Sequence, residues 1–339
     1  MENLLKDLSL LNAVSGDEND VRAYIIKTLE NVNCDIETDN LGNLIIYKKG
    51  RKTPKNKIML CAHMDEVGFI VNGINADGFI SLSAVGAISD NVVYGRQICF
   101  KSGVTGVIGG KPVHHLKENE KDEQPALSSL YADIGAVSKA DAENHVSLGD
   151  TAYFVSEFCS LGDDLIKGKA FDDRVGCAII LDLLLLELEY DLHFIFTVQE
   201  EVGARGALAA TYRLKPDYAV ILETTTACDI AGVESDKQIC RLGAGTVIPF
   251  MDKGTAYDRE LYNLAFETAA ENGLKCQTKT QIAGGNDGSS VHKTAGGVRT
   301  ICFAAPCRYL HSPSCVIDKN DFAEMRVLTE KLVSKIANM

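Results

Sequence analysis

Histidines and carboxylates follow the apolar runs of this chain or precede its most apolar helical segment. They are His63, Asp65, Asp172, Glu200, Glu201, Glu223 and His311. Imidazole together with carboxylate suits a divalent metal such as Zn or Co, and Mn also accepts these ligands. Five of these residues are candidate metal ligands, more than one open catalytic zinc needs: His63, Asp172, Glu201, Glu223 and His311. Two metal ions that share one bridging carboxylate would use all five and keep positions free for water.

The elements that must position these residues alternate along the chain. Strands are predicted at 34–37, 43–48, 57–62, 193–198, 217–222, 275–281 and 298–303, and helices at 2–13, 172–188, 204–212, 256–272, 286–294 and 320–337. Alternation of this kind indicates an α/β sheet with helices on both faces. Because ligands in open α/β sheets bind outside the carboxyl ends of the strands, the residues that follow the strands are expected to meet at one edge.

Residues 66–158 have a different texture, with dense glycines, short apolar runs and no long helical pattern. This pattern predicts a small all-β unit. We predict that it is inserted into a single α/β domain formed by residues 1–65 and 159–339, because strand patterns on both sides of it are alike. The charged stretch 111–124 is predicted to be an exposed loop of this unit.

Each candidate residue has a structural alternative when it is taken alone. A histidine after a strand is more often a satisfied core or surface residue, and the pair Glu200–Glu201 is compatible with a solvated surface pair. In an extended segment their side chains would point in opposite directions, one toward metal and one toward substrate. Asp172 and Asp173 alone are explained as favourable charges at a helix N-terminus. The joint pattern is therefore what indicates a metal site.

Composition narrows the function classes. The net charge of −13 and a pI near 5.0 argue against a nucleic-acid partner, which requires a basic face. The longest apolar run, 177–186, is short and contains Asp182, so a membrane span is not expected. The N-terminus lacks the pattern of a secretory signal, and eleven cysteines without a C-x-x-C pair are typical of reduced thiols. These features predict a cytoplasmic location.

Four motifs, in order, give the chain a resemblance to a known family. They are H-x-D at 63–65, K-A-F-D-D-R at 169–174, Q-E-E-V-G-A-R-G-A at 199–207 and Y-L-H-S-P at 309–313. Together they resemble the M42 family of metallo-aminopeptidases, the tetrahedral enzymes often named glutamyl aminopeptidases or endoglucanases. The resemblance covers essentially the whole chain. It implies a mixed-sheet α/β peptidase domain that holds two metals, with a small inserted β domain, PDZ-like or barrel-like, that makes dimer contacts.

The resemblance also implies roles for single residues. Asp172 would bridge the two metals, with His63 and Glu223 on one ion and Glu201 and His311 on the other. Glu200 would be the general base and Asp65 would orient His63. Gly285 and Asp287 lie in G-G-N-D-G at 284–288, which is similar to a family loop near the substrate pocket. The family more often has Asp at the position of Glu223.

The expected activity is hydrolysis of the N-terminal peptide bond of short peptides by a homo-dodecamer built from dimers. One alternative is another di-metal amide hydrolase, such as a carboxypeptidase or deacylase, which a blocked amino terminus would not stop. A glycoside hydrolase that uses two carboxylates is disfavoured by the absence of Trp and by the candidate His ligands. A metal-stabilised assembly or binding protein without activity is the third alternative.

Overall fold

The computed structural model describes residues 1–115 and 125–339, so most of the predicted charged loop at 111–124 lies outside the described residues. The helices are α1 (Glu2–Leu10), α2 (Asn19–Thr28), α3 (Lys139–Ala142), α4 (Phe171–Leu184), α5 (Arg205–Leu214), α6 (Arg259–Glu271), α7 (Gly288–Val291) and α8 (Lys319–Ile336). The strands before residue 158 are β1 (Asp35–Thr38), β2 (Leu44–Lys48), β3 (Ile58–His63), β4 (Gly68–Ile74), β5 (Ile80–Val85), β6 (Gln97–Phe100), β7 (Thr105–Gly109), β8 (Tyr131–Asp133) and β9 (Thr151–Phe154). The later strands are β10 (Cys159–Leu161), β11 (Leu165–Gly168), β12 (Leu192–Thr197), β13 (Tyr218–Thr226), β14 (Thr246–Ile248), β15 (Cys276–Thr278), β16 (Arg299–Cys307) and β17 (Cys315–Asp318).

A mixed sheet of eight strands in the described part of the chain forms the centre of the fold. Its strand order is β1-β2-β12-β3-β13-β16-β14-β15. The four strands β12, β3, β13 and β16 are mutually parallel, whereas β1, β2 and β14 run antiparallel to a neighbour. The carboxyl ends of the four parallel strands therefore meet at one edge. This sheet confirms the predicted mixed α/β class.

Helices cover both faces of this sheet, and β3 shows how. Its side chains alternate between the two faces, as in any strand. Met59 contacts Thr211 of α5, and Cys61 contacts Asp287 at the start of α7. Leu60 lines a groove on the other face together with Leu183 of α4. All six residues of β3 are buried, so the strand reads as continuously apolar until it reaches His63.

The segment between Gly68 and Phe154 forms a closed antiparallel barrel with the strand order β4-β5-β8-β7-β6-β9. It has a separate core, in which the rings of Phe69 and Phe154 meet edge to face at 5.1 Å. Closure leaves no unpaired edge on these short strands. The barrel confirms the predicted small all-β unit, whereas the exact division at residues 65/66 and 158/159 stays a prediction.

Several predicted boundaries differ from the structure. Helix α4 ends at Leu184 instead of 188. The ammonium of Lys48 caps this end, because it donates to the carbonyls of Leu184 and Leu186 at 2.5 and 2.7 Å. The predicted helix 286–294 reduces to α7, and the predicted strand 275–281 reduces to β15. Strand β14 and the three-stranded sheet β10-β11-β17 were not predicted, because runs of three or four residues carry little periodicity.

Within residues 1–115 and 125–339, no helix has both the length and the apolar character needed to cross a bilayer.

Candidate metal centre and active site

The carboxyl edge of the parallel strands brings the five predicted ligands together. His63 is the last residue of β3 and Glu223 lies in β13, while Asp172 is the second residue of α4. Glu201 follows β12, and His311 lies in the loop between β16 and β17. The structure groups them into two clusters, His63–Asp172–Glu223 and Asp172–Glu201–His311, in each of which the ligand atoms all lie within 4.8 Å of one another.

Asp172 belongs to both clusters. Its Oδ1 lies 3.0 Å from Nε2 of His63, and its Oδ2 lies 3.1 Å from Nε2 of His311. Although Asp172 is counted in α4, its backbone is not helical (φ −83°, ψ 105°), which turns the side chain toward the sheet edge. Each oxygen of one carboxylate therefore faces a different imidazole, the arrangement that a bridging ligand requires.

Both histidines have their other ring nitrogen fixed. Nδ1 of His63 lies 3.0 Å from the main-chain carbonyl of Asp65, and Nδ1 of His311 lies 2.8 Å from that of Ala87. A carbonyl only accepts, so Nδ1 carries the proton and a neutral imidazole turns its Nε2 lone pair toward Asp172. Two acceptors that face each other need a cation between them. The donor set therefore fits two divalent metal ions.

The two outer carboxylates support the same assignment. Oε1 of Glu223 lies 3.6 Å from Nε2 of His63, and Oε1 of Glu201 lies 3.4 Å from Nε2 of His311. The Glu201 oxygen is buried and receives no hydrogen bond. A buried acceptor without a partner is costly, and a cation at this position would remove the cost.

The pKa values show that the centre lacks positive charge. Burial, reinforced by Asp172, raises the pKa of Glu201 to about 8 and that of Glu223 well above its usual range. For His311, burial opposes protonation, but hydrogen bonding to Asp172 and the charge of Glu201 outweigh it and raise the pKa to about 10. Burial of Glu201 and Glu223, and the carboxylates that face His311, therefore favour a bound proton or another cation at this centre.

Asp65 holds the neighbouring turn. Its carboxylate accepts the backbone N–H groups of Glu200 and Glu201 at 2.9 and 3.1 Å and the hydroxyl of Ser15 at 2.6 Å. The same carboxylate lies 3.5 Å from Nδ1 of His63, which is closer to the Asp65 main-chain carbonyl. Asp65 thus contacts His63, a predicted ligand, through both its carbonyl and its carboxylate. The carboxylate also binds the backbone of Glu200, the predicted base.

The expectation of an extended Glu200–Glu201 segment is wrong. Strand β12 ends at Thr197, and Gln199 has a left-handed backbone (φ 58°) that starts a turn. Both glutamates line the same cavity, but only Glu201 belongs to a metal cluster. Burial raises the pKa of Glu200 well above its usual range, with Asp287 and Glu201 adding to the effect.

A cavity of about 710 Å³ opens beside the clusters and is lined by Asp172, Glu200, Glu201, Glu223 and His311 among others. Gly285, predicted to contact substrate, lies on its wall. Asp287 does not: it is 1% exposed and accepts hydrogen bonds from the hydroxyl of Thr197 at 2.5 Å and the thiol of Cys61 at 3.5 Å. Burial raises its pKa to about 6. Asp287 therefore lies behind the cavity wall in this structure, and its contact with substrate stays a prediction.

The sequence did not predict that the segment after β5 of the barrel contributes a contact to the metal centre. Ala87 follows β5 and supplies the carbonyl that fixes His311. The chain reaches it through Gly86, at φ 82°, where a Cβ atom would lie 2.7 Å from Val67 and 3.3 Å from Glu201. Only glycine allows this approach. The sequence holds no signal for Ala87, because every residue type offers a carbonyl.

A buried ion cluster behind the site was also missed. Both carboxylate oxygens of Glu66 accept from the ammonium of Lys169 at 2.7 and 2.8 Å, and Oε1 also accepts from Arg174 at 3.3 Å. Lys169 and Arg174 further donate to the carbonyls of Leu11 and Leu8. The cluster therefore ties the N-terminal segment to the segment that carries Asp172. The sequence offered a signal for this ion cluster, because Lys169 and Arg174 belong to the same K-A-F-D-D-R motif as Asp172.

Comparison with known proteins agrees with this geometry. The family model described as M42 glutamyl aminopeptidase matches residues 42–328. The glutamyl aminopeptidase of Lactococcus lactis subsp. cremoris is 32% identical over 344 residues, which cover 98% of this chain and 95% of that protein. An aminopeptidase from the archaeon Desulfurococcus kamchatkensis superposes with a TM-score of 0.92 at 32% identity, over 98% of this chain and 94% of the other. The TET1 peptidase of Pyrococcus horikoshii, reported to assemble into a tetrahedron or a large octahedral shell, gives a TM-score of 0.85 at 31% identity over 98% of each chain.

Proposed function

Because this chain belongs to the M42 glutamyl aminopeptidase family, we propose that it is a di-metal aminopeptidase that removes the first residue of short peptides. The observation that carries this proposal is the position of Asp172, whose two oxygens face His63 and His311 at 3.0 and 3.1 Å. Family membership alone supports a metal-dependent aminopeptidase. The shared carboxylate supports two ions rather than one.

The proposed ligands divide as the clusters do. In this proposal His63 and Glu223 would hold one ion, Glu201 and His311 would hold the other, and Asp172 would contact both. Nitrogen and oxygen ligands in this ratio suit Zn or Co, with Mn also acceptable. Two such ions, when bound, would supply Lewis-acid activation of a water molecule and of the scissile carbonyl.

Glu200 is the proposed general base. It lines the cavity beside both clusters but belongs to neither, so its carboxylate stays available to accept a proton. Burial raises the pKa of this carboxylate above its usual range, which makes it a stronger base. In this proposal a Glu200 oxygen takes a proton from the attacking water and then delivers it to the leaving amine, so that the carboxylate is regenerated. Asp65 acts as a positioning residue because it holds the backbone of Glu200.

Glu223 has a second proposed role at the substrate. It is buried at the cavity end where the first cluster lies, and its carboxylate would face the free amino group of a bound peptide. Recognition of that amine by a carboxylate would restrict cleavage to the first peptide bond. The longer arm of Glu, where the family more often has Asp, brings the carboxylate within 3.6 Å of His63.

Residues 66–158 are proposed to mediate assembly into a homo-dodecamer built from dimers. The barrel exposes several large apolar side chains, namely Tyr94, Val107, Val137 and Leu148. These side chains are available for contacts with another subunit. The assembly reported for the Pyrococcus horikoshii peptidase supports the proposal. A monomer in analytical ultracentrifugation would contradict it.

The function is tested with one short peptide in free and N-acetylated forms. Enzyme stripped by a chelator is titrated with Zn or Co, and cleavage of each form is followed by mass spectrometry. Cleavage of the free form alone, returning with about two metal ions per subunit, is the expected result. Equal cleavage of both forms would favour a carboxypeptidase or deacylase on the same scaffold.

A further inference from the structure

The turn that carries the proposed base, residues 198–201, is held by side chains from earlier segments of the chain; we call it the base turn. Strand β12 ends at Thr197, so the N–H groups of the base turn lie beyond the strand and depend on other partners. Each of the four donates to a side chain: Val198 to Asn43, Gln199 to Glu18, and Glu200 and Glu201 to Asp65. The position of the base therefore depends on side chains that are distant in the sequence.

Glu18 reaches the base turn from the start of α2. It directly precedes that helix, where an acidic side chain ordinarily serves the helix terminus. In this structure it is 3% exposed, and its Oε1 accepts the N–H group of Gly16 at 2.6 Å and that of Gln199 at 3.2 Å. One oxygen thus joins the loop before α2 to the residue that precedes the base.

Gln199 needs such a partner because its backbone is left-handed, at φ 58°. Residues other than glycine rarely adopt this conformation, and it persists where the surrounding structure holds it. The bond from Glu18 fixes the N–H group of Gln199, and the Gln199 carbonyl accepts the amide of Arg205 at 3.3 Å. Since Glu200 follows directly, a change of backbone at Gln199 would redirect the side chain of the proposed base.

Asp17, the neighbour of Glu18, binds the barrel. Its Oδ2 accepts the hydroxyl of Thr151 in β9 at 2.9 Å, and its Oδ1 pairs with the ammonium of Lys101, which directly follows β6. The backbone of Lys101 donates to the carbonyl of Thr151 at 2.9 Å, and β6 pairs with β9. Asp17 therefore contacts two adjacent strands of the barrel at one place.

We propose that Asp17 and Glu18 couple the seating of the barrel to the position of the general base. The two residues share a peptide unit, so a displacement of the barrel that pulls Asp17 also draws Glu18 away from Gln199. Glu18 is then a positioning residue, which acts on Glu200 through the backbone of the base turn. This inference rests on the proposed function, because it takes Glu200 to be the base of an aminopeptidase.

A purely structural role of the same contacts makes a different prediction. If Glu18 only anchored the N-terminal segment, its loss would lower the stability and leave kcat per folded enzyme unchanged. Coupling to the base lowers kcat selectively. Because the amide of Glu201 keeps its own bond to Asp65, both the metal content and KM should stay as in the wild type.

The experiment measures kcat and KM of the metal-loaded enzyme on one short peptide with a free amino terminus, with metal content determined on the same samples. Glu18→Met removes the acceptor at nearly constant volume and should lower kcat about tenfold or more. Glu18→Gln retains a carbonyl oxygen that accepts both N–H groups, so it should restore most of the turnover. Asp20→Ala, which removes an exposed acid from the first turn of α2, is the matched control and should leave kcat unchanged.

A double-mutant cycle tests the contribution of the barrel. Asp17→Ala should lower kcat by about threefold or more in the wild-type background. In a protein that already carries Glu18→Met, the same substitution should have little effect on kcat, because the path from the barrel to the base passes through Glu18. Effects of the two substitutions that multiply would show that they act independently, which would overturn the coupling.

The other outcomes separate this inference from the proposed function. An active wild type together with an unchanged kcat in Glu18→Met would overturn the inference and leave the aminopeptidase function intact. So would a loss of metal in proportion to the loss of activity, which would assign the effect to ion binding. A metal-loaded wild type that does not cleave the peptide would overturn the proposed function. Asp17→Ala alters a contact with an exposed lysine and is expected to fold even if Glu18→Met does not; an unchanged kcat in Asp17→Ala alone would overturn the coupling.

Discussion

Oδ1 of Asp65 accepts a hydrogen bond from the backbone amide of Glu200 at 2.9 Å, although 135 positions separate the two residues. Oδ2 of the same carboxylate accepts the amide of Glu201. A single side chain at the end of β3 therefore fixes the turn after β12 that carries the proposed base and one proposed ligand. Since a carboxylate has no donor, Asp65 serves both amides only in its ionised form.

Asp65→Asn should weaken both the turnover and the metal affinity. The amide group replaces one acceptor with a donor that faces a backbone N–H, so the turn shifts away from its present position. Loss of such an outer partner typically costs about 10- to 100-fold in affinity or activity. Steady-state kinetics and metal titration check this. Ser15→Ala is the matched control, because it removes the third bond to Asp65 and keeps both amide contacts; an effect as large as that of Asp65→Asn would contradict the argument.

Glu200→Gln should keep both metals and lose turnover by at least about 100-fold, because the amide cannot accept the proton. Metal content is measured by plasma mass spectrometry, and activity is measured on the same preparation. Glu187→Gln is a suitable control, since Glu187 pairs with Arg51 at the exposed surface. Near wild-type turnover in Glu200→Gln would assign the base to another group.

The number of bound metals should depend on which carboxylate is removed. Glu223 and Glu201 each belong to one cluster, whereas Asp172 belongs to both. Glu223→Gln and Glu201→Gln should therefore each retain about one ion per subunit, and Asp172→Asn should retain almost none. Metal analysis after gel filtration checks the three variants together. Equal loss in all three would mean that the ions bind only as a pair.

Metal stabilisation should grow as the pH rises from about 6 to 8. In the metal-free protein the pKa of His311 is raised from 6.5 to about 10 and that of Glu201 from 4.5 to about 8. Groups with raised pKa values bind more protons when folded, so their contribution is complete below the unfolded pKa and is lost as the pH rises through the folded pKa. The metal replaces those protons. The difference in Tm between loaded and stripped protein should therefore widen over this range, and a difference that shrinks would contradict the sign.

Glu66→Ala should lower the free energy of unfolding by about 3–5 kcal/mol, because it leaves the buried cations of Lys169 and Arg174 without their carboxylate. Urea denaturation with a constant m-value measures this change. Glu187→Gln again serves as the comparison, since it breaks an ion pair that solvent already screens, and little change is expected. A small effect of Glu66→Ala would show that water or another acid replaces the lost carboxylate.

The convergence of the candidate ligands could be predicted because it follows from strand direction. His63 and Glu223 lie on β3 and β13, and Glu201 follows β12. Because these parallel strands end at one edge of the sheet, residues at or after their carboxyl ends lie close together. His311 was predicted in the same way, from the loop after the strand that became β16. The small all-β unit was predicted from glycine density and short apolar runs, whereas its closure into a barrel was not.

The remainder of the site could not be predicted, and the reasons differ. Ala87 acts through a carbonyl, which leaves no trace in residue type. Asp287 lies in a loop motif that predicts a substrate contact, but its carboxylate is buried. Thr197 and Cys61, on neighbouring strands, donate hydrogen bonds to it. Ser15 lies 50 positions from Asp65, and only tertiary packing makes them partners. Long-range polar contacts of this kind depend on geometry finer than periodicity provides.

The hydrogen bond between His311 and the carbonyl of Ala87 spans 224 positions and joins the peptidase sheet to the segment after β5 of the barrel. Displacing that segment would release a ring nitrogen of a proposed ligand. Any contact that favours the present barrel position then also favours ion binding, and reciprocity requires the ion to favour that contact by an equal free energy. Subunit association through the barrel and loading of the second cluster would thus be linked equilibria, so the concentration at which the protein assembles would depend on the concentration of the metal.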